Sequence, residues 1–243
     1  MELEVCANSF ASALAAEQGG AVRVELCENM AEGGTTPSYA TIKMATERLK
    51  IEVWPIIRPR GGDFLYTADE FELMKIDIQS CKDLGCNGVV FGILSPNGEI
   101  DKERCKLLLD TAYPLPAAFH RAFDMCNDLE KALEDVIDLG FARILSSGGA
   151  ETALNGLEKL TKLVQLANDR IEIMPGSGIN PQNIKFIKEK TGAKVFHASA
   201  RIKMASKMHY RNKNAKMGSI EDEFAVEQTS EQLVKDLILA LNA

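Results

Sequence analysis

The chain has 243 residues, of which 46% are hydrophobic and 26% are charged, as in ordinary globular proteins. Its formal net charge of −7 argues against the basic face that nucleic-acid binding requires. No run approaches the roughly 20 apolar residues that cross a bilayer, and the acidic N-terminus lacks the basic start of a signal peptide. We therefore expect a cytoplasmic protein without nucleic-acid or membrane partners.

Six cysteines are scattered through the sequence without a CxxC pair. This spacing argues against zinc ribbons and thioredoxin-type motifs. In a cytoplasmic chain of this length most of the thiols should be reduced, so disulfides are not expected.

Short β-branched runs alternate with helical patterns along the whole chain. The predicted strands are 3–7, 22–27, 52–58, 88–92, 117–121, 142–147, 171–175 and 195–199. Helical patterns begin near 8, 36, 67, 101, 127, 156 and 180, and a last helix covers 230–241. Eight strand–helix units predict one parallel (βα)8 barrel, a TIM barrel, that forms a single domain over 1–243. A doubly wound open sheet is the alternative, because spacing alone does not establish closure.

Three local patterns predict helix starts. Pro37 suits the first position of the second helix. Thr67 and Glu70 have the spacing of a capping box at the start of the third helix. Asn180 and the proline after it are expected to cap the seventh helix directly.

The segment 200–229 is expected to be a long loop before the last helix, and loops of this length are usually functional or mobile. Its first half is basic, including Lys213 and Lys216, and its second half is acidic, at Glu221, Asp222 and Glu223. One interpretation is a mobile excursion. The other is a lid over the barrel mouth or an arm onto a second subunit.

Side chains alternate along a strand, so the apolar positions that face the helices determine which residues face the barrel lumen. This phase directs Glu4 and Cys6 of the first strand inward. On the second strand it directs Arg23, Glu25 and Cys27 inward, and on the eighth it does the same for Val195, His197 and Ser199. Buried charges must be paired, so we expect a network of Glu4, Glu25, Arg23 and Arg58.

Candidate acid–base residues lie near the predicted strand ends, where the sites of such barrels form. His120 and His197 are two of only three histidines, and each follows an apolar run. With Glu25 and Asp124 they form a candidate catalytic set for proton transfer. A histidine satisfied within the core is the alternative for either one alone.

Candidate anion-binding residues occur in four of the predicted units. Arg58 and Arg60 follow the third strand, and guanidinium groups bind carboxylates and phosphates in a bidentate manner. The other candidates are Arg121 in the fifth unit, Ser147 and Gly148 in the sixth, and Gly176, Ser177 and Gly178 in the seventh. Glycine turns let backbone amides approach a ligand, and late barrel loops often hold phosphate. A small anionic ligand is the prediction.

Cys6 and Cys27 end adjacent predicted strands on the lumen-facing phase. Two thiolates placed in this way could hold a soft ion such as Cu(I). Two inert buried thiols are the alternative. Nothing in the pattern marks any of the nine methionines as a ligand.

Several multi-residue strings in order resemble the CutC copper-homeostasis family. They are Val24–Cys27, Glu32–Ser38, Ile57–Phe64, Phe119–Asp124, Ile144–Gly149, Met174–Ile179 and Tyr210–Asn212. The resemblance implies a cytoplasmic (βα)8 barrel that forms a homo-oligomer, a dimer or a tetramer. It also implies copper handling, with Cys6 and Cys27 as the matching Cu(I) ligands and no organic cofactor.

Two functions remain open from the sequence. The first is a copper-homeostasis protein that binds Cu(I) without turnover. The second is a TIM-barrel enzyme that acts on a small anionic or phosphorylated metabolite. A third interpretation, a barrel that serves assembly or regulation without a site, is disfavoured because unpaired charge in the lumen would be destabilising without a use.

Overall fold

Eight parallel strands, each followed by a helix, succeed one another along the chain in a computed structural model that describes residues 1–212, 214–215 and 224–243. The strands are β1 Glu2–Ala7, β2 Arg23–Leu26, β3 Glu52–Pro55, β4 Val89–Phe91, β5 Ala117–Phe119, β6 Arg143–Ser146, β7 Glu172–Pro175 and β8 Val195–Ala198. The helices are α1 Phe10–Gly19, α2 Tyr39–Arg48, α3 Ala68–Asp83, α4 Lys102–Ala112, α5 Leu129–Leu139, α6 Leu157–Ala167, α7 Ile184–Thr191 and α8 Glu231–Asn242.

The strands close into a barrel. Parallel ladders join them in the orders β3-β2-β1-β8 and β4-β5-β6-β7. A parallel bridge between Ile56 and Val90 connects β3 to β4, and β7 packs beside β8. The last barrel strand therefore pairs with the first, which confirms the (βα)8 barrel and excludes the doubly wound open sheet.

The buried side chains form an outer and an inner layer. Leu3, Val5 and Val24 belong to the large apolar cluster between the strands and the helices. Cys6 and Cys27 belong to a separate cluster of six buried residues, whose other members are Trp54, Ile56, Val90 and Ala118. Because neighbouring positions of β1 fall in different clusters, the predicted phase of this strand is correct.

The helix starts agree only in part with the sequence patterns. Thr67 and Glu70 form the predicted capping box of α3. The prediction for Pro37 is wrong, because Ser38 caps α2 and the helix begins one residue later. α7 begins at Ile184 after a turn, so Asn180 does not cap it directly.

The segment 200–229 contains two strands where a continuous loop was expected. β9 (Arg201–Ala205) and β10 (Ala225–Thr229) pair as an antiparallel ribbon. The ribbon is anchored to α1 and the residue before its cap, since the Asn8 amide donates to the Glu227 carbonyl and the Thr229 amide donates to Ser12 Oγ. The predicted basic and acidic positions Lys213, Lys216 and Glu221–Glu223 lie outside the described residues.

No helix within the ranges that the structure describes is long and apolar enough to cross a bilayer.

Candidate functional site

A cavity of about 520 Å³ opens among the loops that follow the carboxyl ends of the strands. This is the face at which barrels of this kind place their sites. The predicted residues that line it are Cys6, Glu25, Arg58, His120, Arg121, Asp124, Ser177, Gly178 and His197. Arg60, Cys27, Ser147, Gly148 and Gly176 do not line it.

Three sulfur atoms meet at the wall of this cavity. The Sγ atoms of Cys6 and Cys27 are 3.3 Å apart. Met30 Sδ lies 3.1 Å from Cys27 Sγ and 3.7 Å from Cys6 Sγ. Cys27 is fully buried and Cys6 is 6% exposed, so Cys6 is the thiol that a ligand in the cavity reaches first.

Local structure explains why the sulfurs converge. Cys6 lies near the end of β1, and Cys27 follows the last residue of β2 on the neighbouring strand. A short 3-10 turn over Met30–Glu32 then folds the loop back over both thiols. Met30 was not predicted as a ligand from the sequence. Its position three residues after Cys27 indicates a third sulfur near the thiols only when a turn is expected there.

The thiol of Cys6 is protonated at neutral pH in this arrangement. The hydrogen bond with Cys27 and burial together raise the pKa of Cys6 well above its ordinary value. A metal ion that binds here must therefore displace a proton, because the thiolate is the ligating form.

Below the sulfurs, a buried chain of charged groups crosses the lumen. Arg23 Nε donates to Glu4, whose other oxygen lies 2.9 Å from His197 Nδ1. His197 Nε2 lies 3.6 Å from a carboxylate oxygen of Glu25. The predicted Glu4, Arg23 and Glu25 thus share one network, which His197 joins.

Arg58 does not belong to this network, contrary to the prediction. Its place as a second cation is taken by Arg143, which lies 3.8 Å from Glu4 and stacks over the Trp54 ring at 4.5 Å. Arg143 was not predicted, because lumen-facing positions were assigned only on the first, second and eighth strands and Arg143 lies on the sixth.

The pKa values of the two buried carboxyl groups in this network shift in opposite directions. Burial alone would raise the pKa of Glu4, but the hydrogen bond and charge of His197, together with Arg23, lower it to about 2. Burial raises the pKa of Glu25, and the nearby charge of His197 only partly offsets that effect.

Cys6, Glu25 and His197 also form a group of potential metal ligands. One donor atom from each lies within 4.8 Å of the others, and all three residues are buried. A thiol, a carboxylate and an imidazole suit borderline ions such as Zn²⁺ better than Cu(I). Cys6 belongs to both this group and the sulfur cluster.

His120 is held as a neutral hydrogen-bond donor. Its Nδ1 accepts from the Ala122 amide at 3.2 Å, so the ring proton is on Nε2. Burial and the charge of Arg58 lower its pKa to about 3. With Nδ1 occupied, His120 cannot act as the base that the sequence suggested, although its Nε2–H can donate to a ligand.

Asp124 is not a free carboxylate. It accepts from the amides of Ser147 and Gly149 at 2.9 to 3.0 Å and from the hydroxyl of Ser146 at 2.6 Å. Arg121 Nε donates to it at 2.8 Å. The loop after β6, which was predicted to bind an anionic ligand, thus binds the carboxylate of Asp124 instead. The Gly148 amide donates to Ser146 Oγ.

Arg58 and Arg60 do not form an anion fork. Arg58 donates to the carbonyls of Glu32 and Gly34, each at 2.7 Å, and to the carbonyl of Gly62 at 2.8 Å. It therefore ties the loop after β2 to the loop after β3. Arg60 lies outside the cavity and pairs with Glu70 and Asp63, at 2.7 and 3.0 Å.

Comparison with known proteins gives the same picture of fold and family. The sequence model of the CutC family matches residues 1–202. A CutC family protein of Chromobacterium violaceum is 49% identical over 241 residues, which cover 99% of this chain and 98% of that protein. The copper homeostasis protein cutC homolog of Homo sapiens is 48% identical over 217 residues, or 89% of this chain and 80% of that protein.

Solved structures agree. A crystal structure of a CutC copper homeostasis protein from Streptococcus agalactiae is 39% identical, with a TM-score of 0.79, and the match covers 82% of this chain and 98% of that one. A phosphoribosylanthranilate isomerase from Pyrococcus furiosus, 10% identical with a TM-score of 0.61 over 100% of this chain and 98% of that one, shares the fold alone. With full-length relatives near half identity and a family match over most of its length, the chain belongs to the CutC family.

Proposed function

We propose that this protein binds one Cu(I) ion through the thiolates of Cys6 and Cys27 and the thioether of Met30. The supporting observation is the convergence of three sulfur atoms within 3.1 to 3.7 Å of one another at the cavity wall. Thiolate and thioether sulfur are soft ligands and select Cu(I) over harder ions. The names of the human and mouse relatives, copper homeostasis protein cutC homolog, agree with a copper ligand.

Neighbouring groups favour an ion that enters from the cavity. Cys6 is the less deeply buried member of the pair and lines the cavity, and its thiol is in hydrogen-bond contact with His197. Burial alone would lower the pKa of His197, but its hydrogen bonds with Cys6 and Glu4 raise it well above the ordinary value, so His197 is protonated and stabilises the Cys6 thiolate that Cu(I) binding creates. We further propose a cytoplasmic location, where thiols stay reduced, and a homo-oligomeric assembly, a dimer or a tetramer as the family resemblance implies.

An anaerobic titration of Cu(I) against a competing chelator tests this proposal. We expect one tightly bound ion in the wild type, loss of that binding in the Cys6→Ser/Cys27→Ser variant, and binding roughly tenfold or more weaker in Met30→Leu. Cys126→Ser is the matched control, because its half-buried thiol lies on another loop, and it should bind as the wild type does.

Two results would contradict the sulfur site. One is undiminished Cu(I) binding by the double cysteine variant. The other is binding that survives Cys27→Ser and Met30→Leu but is lost in Glu25→Gln, which would assign the ion to the group of Cys6, Glu25 and His197.

A second candidate function is catalysis on a small anionic metabolite. The supporting observation is the Nε2–H of the buried His120, which has no hydrogen-bond partner among the described residues and lies at the wall of a cavity of about 520 Å³, a size that suits a small ligand. A neutral imidazole donor of this kind polarises a carbonyl or hydroxyl oxygen of a substrate, and Glu25 with its raised pKa can transfer a proton. A screen of metabolites for turnover by the copper-free protein, with His120→Asn as the comparison, tests this candidate, and activity unchanged in the variant would contradict it.

A further inference from the structure

We propose that the loops after β7 and β8 form a binding site for the phosphate group of a small organic phosphate. This site, called the late-loop site here, consists of the amides of residues 177–179, the Ser199 position and the guanidinium of Arg201. The inference rests on the second candidate function, to which it adds a substrate class, and it is independent of copper.

The amides after β7 are free to bind an anion. The Gly176 amide still donates to the Ser146 carbonyl at 2.9 Å, as the last rung of the barrel ladder. The next three amides, those of Ser177, Gly178 and Ile179, have no acceptor among the residues that the structure describes. All three residues line the cavity, so a ligand there can accept from them.

Backbone conformation supports this reading. Ser177 and Gly178 have φ angles of +73° and +71°, in the left-handed region that a serine rarely adopts. The strained serine is held by its hydroxyl, which donates to the Glu151 carbonyl at 2.7 Å. Strain of this kind concentrates at binding sites, where it fixes a backbone in place before the ligand arrives.

The neighbouring loop provides an internal comparison. After β6, the amides of Ser147 and Gly149 and the hydroxyl of Ser146 enclose the carboxylate of Asp124. One late loop of this barrel therefore binds an oxyanion that the chain itself supplies. The loop after β7 presents a similar run of amides, and there the described chain supplies no such oxyanion.

Arg201 adds a positive charge to the wall of the cavity that these amides line. Its guanidinium lines the same cavity from the start of β9, and one of its terminal nitrogens pairs with Glu227. Its Nε is buried and has no acceptor within the described part of the chain. A guanidinium with an unused donor next to free amides suits a phosphate, which offers several acceptor oxygens to both.

His120 indicates that the ligand is larger than inorganic phosphate. It is only 3% exposed and lines the same cavity, and its Nε2–H has no acceptor among the described residues. Burial lowers its pKa to about 3, so it remains a neutral donor at physiological pH. A donor of this kind suits an uncharged oxygen of the organic part, since a cavity of about 520 Å³ leaves room beyond a phosphate group.

Charge on the other walls restricts where the phosphate lies. Glu25 lines the cavity from β2 and Glu32 lines it from the loop after that strand, and both carboxylates would repel an anion. The carboxylate of Asp124 already accepts hydrogen bonds from the loop after β6 and pairs with Arg121. Arg58 also lines the cavity, but its guanidinium is held by three backbone carbonyls. The phosphate is therefore expected at the late loops, with its organic part directed into the cavity.

Calorimetric titration of the copper-free protein with inorganic phosphate and with glycerol 3-phosphate, at constant ionic strength, tests the late-loop site. Both probes should bind, the ester more tightly. Arg201→Gln should weaken both by roughly tenfold or more, because a charge-assisted hydrogen bond is lost. Lys203→Gln is the matched control, since it removes the same charge from an exposed position of β9 that does not line the cavity.

A second pair of variants tests the position without removing a contact. Ser199→Asp places a carboxylate beside the expected phosphate and should abolish binding, whereas Ser199→Asn, whose side chain has nearly the same shape as that aspartate but no charge, should weaken binding much less. His120→Asn should lower the affinity for the ester more than that for inorganic phosphate.

Several outcomes would overturn the late-loop site. They are the absence of phosphate binding in the wild type, equal loss in Arg201→Gln and Lys203→Gln, and equal behaviour of the two Ser199 variants. The two proposals can fail separately: phosphate binding with the expected variant pattern but without turnover supports the site and counts against the enzyme. Turnover of an unphosphorylated substrate without phosphate binding does the reverse.

Discussion

His120 shows how one residue's role depends on neighbours that are remote in sequence. Its ring contacts Phe64 at 4.9 Å between centroids, and its Nδ1 accepts from a backbone amide. These surroundings exclude water and fix the neutral form. The same side chain in an open loop would be the ordinary titrating histidine that its position suggested.

This burial predicts a specific dependence of stability on pH. The folded pKa of His120 is about 3, against an ordinary 6.5, so the unfolded chain binds the proton more readily between these values. Stability from this group is present above pH 6.5 and is lost as the pH falls towards 3. The linkage relation gives a loss of about 2 kcal/mol at pH 5 relative to pH 8.

Urea unfolding at pH 8 and pH 5 checks this value. His120→Asn cannot take up the proton, so its stability should fall by about 2 kcal/mol less than that of the wild type over this interval. An equal fall in both proteins would show that His120 titrates normally.

For single residues, the sequence identified which side chains face the barrel lumen better than it identified their hydrogen-bond partners. The alternation of apolar residues placed Cys6, Glu25 and His197 in the lumen, because that phase depends only on which face the helices cover. Asp124 was assigned to proton transfer because nothing local reveals that the amides of Ser147 and Gly149 enclose it. Such contacts depend on how loops from different units meet, which spacing does not encode.

The loop between β2 and α2 is the element that completes the sulfur cluster. Its 3-10 turn carries Met30, and glycines at 33 and 34, both with positive φ, return the chain towards β3. Arg58 fastens this loop with its bonds to the carbonyls of Glu32 and Gly34. The arginine therefore holds in place the loop that carries Met30.

Arg58→Lys tests this positioning role. Lysine keeps the charge but cannot reach the three carbonyls that the fork of arginine bridges. We expect Cu(I) affinity to fall several-fold, because Met30 is held less firmly. Arg60→Lys is the control, as its guanidinium pairs with Asp63 and Glu70 outside the cavity and should leave affinity unchanged. Undiminished Cu(I) binding by Arg58→Lys would contradict the role.

Elements were predictable where the pattern is local and less so at their ends. The capping box at Thr67 follows from side chains three residues apart, and it formed as expected. The ribbon of β9 and β10 was missed because its strands pair across about 20 residues. β9 does alternate polar and apolar residues from Arg201 to Met204, which was a usable strand signal, whereas β10 lacks the alternation that marks a half-buried strand.

In the whole molecule, the buried charges join the two halves of the barrel. Glu4 on β1 faces Arg23 on β2, His197 on β8 and Arg143 on β6. One carboxylate thus has three cationic partners from different strands, and two of them, His197 and Arg23, lower its pKa to about 2 despite its burial. The count of eight units favoured a closed barrel over an open sheet, whereas this cross-barrel pairing could not be predicted, because Arg143 lies far from Glu4 in sequence.

Removal of this carboxylate should destabilise the barrel strongly. Glu4→Gln removes the buried counter-charge of Arg23 and leaves the half-exposed carboxylates of Glu2 and Glu52 to pair with it, and such losses cost about 3 kcal/mol. Lys106→Gln, which breaks an exposed pair with Asp110 on α4, should change stability little. Urea unfolding at neutral pH compares the two, and a Glu4→Gln variant within about 1 kcal/mol of the wild type would refute the structural role of the network.

X-ray absorption at the copper edge of the Cu(I)-loaded protein tests the central claim most directly. The proposal predicts a first shell of sulfur alone, with two thiolates and one thioether, and the loss of one sulfur scatterer in Met30→Leu. A shell that contains nitrogen or oxygen from His197 or Glu25, or one unchanged by Met30→Leu, would contradict the three-sulfur site.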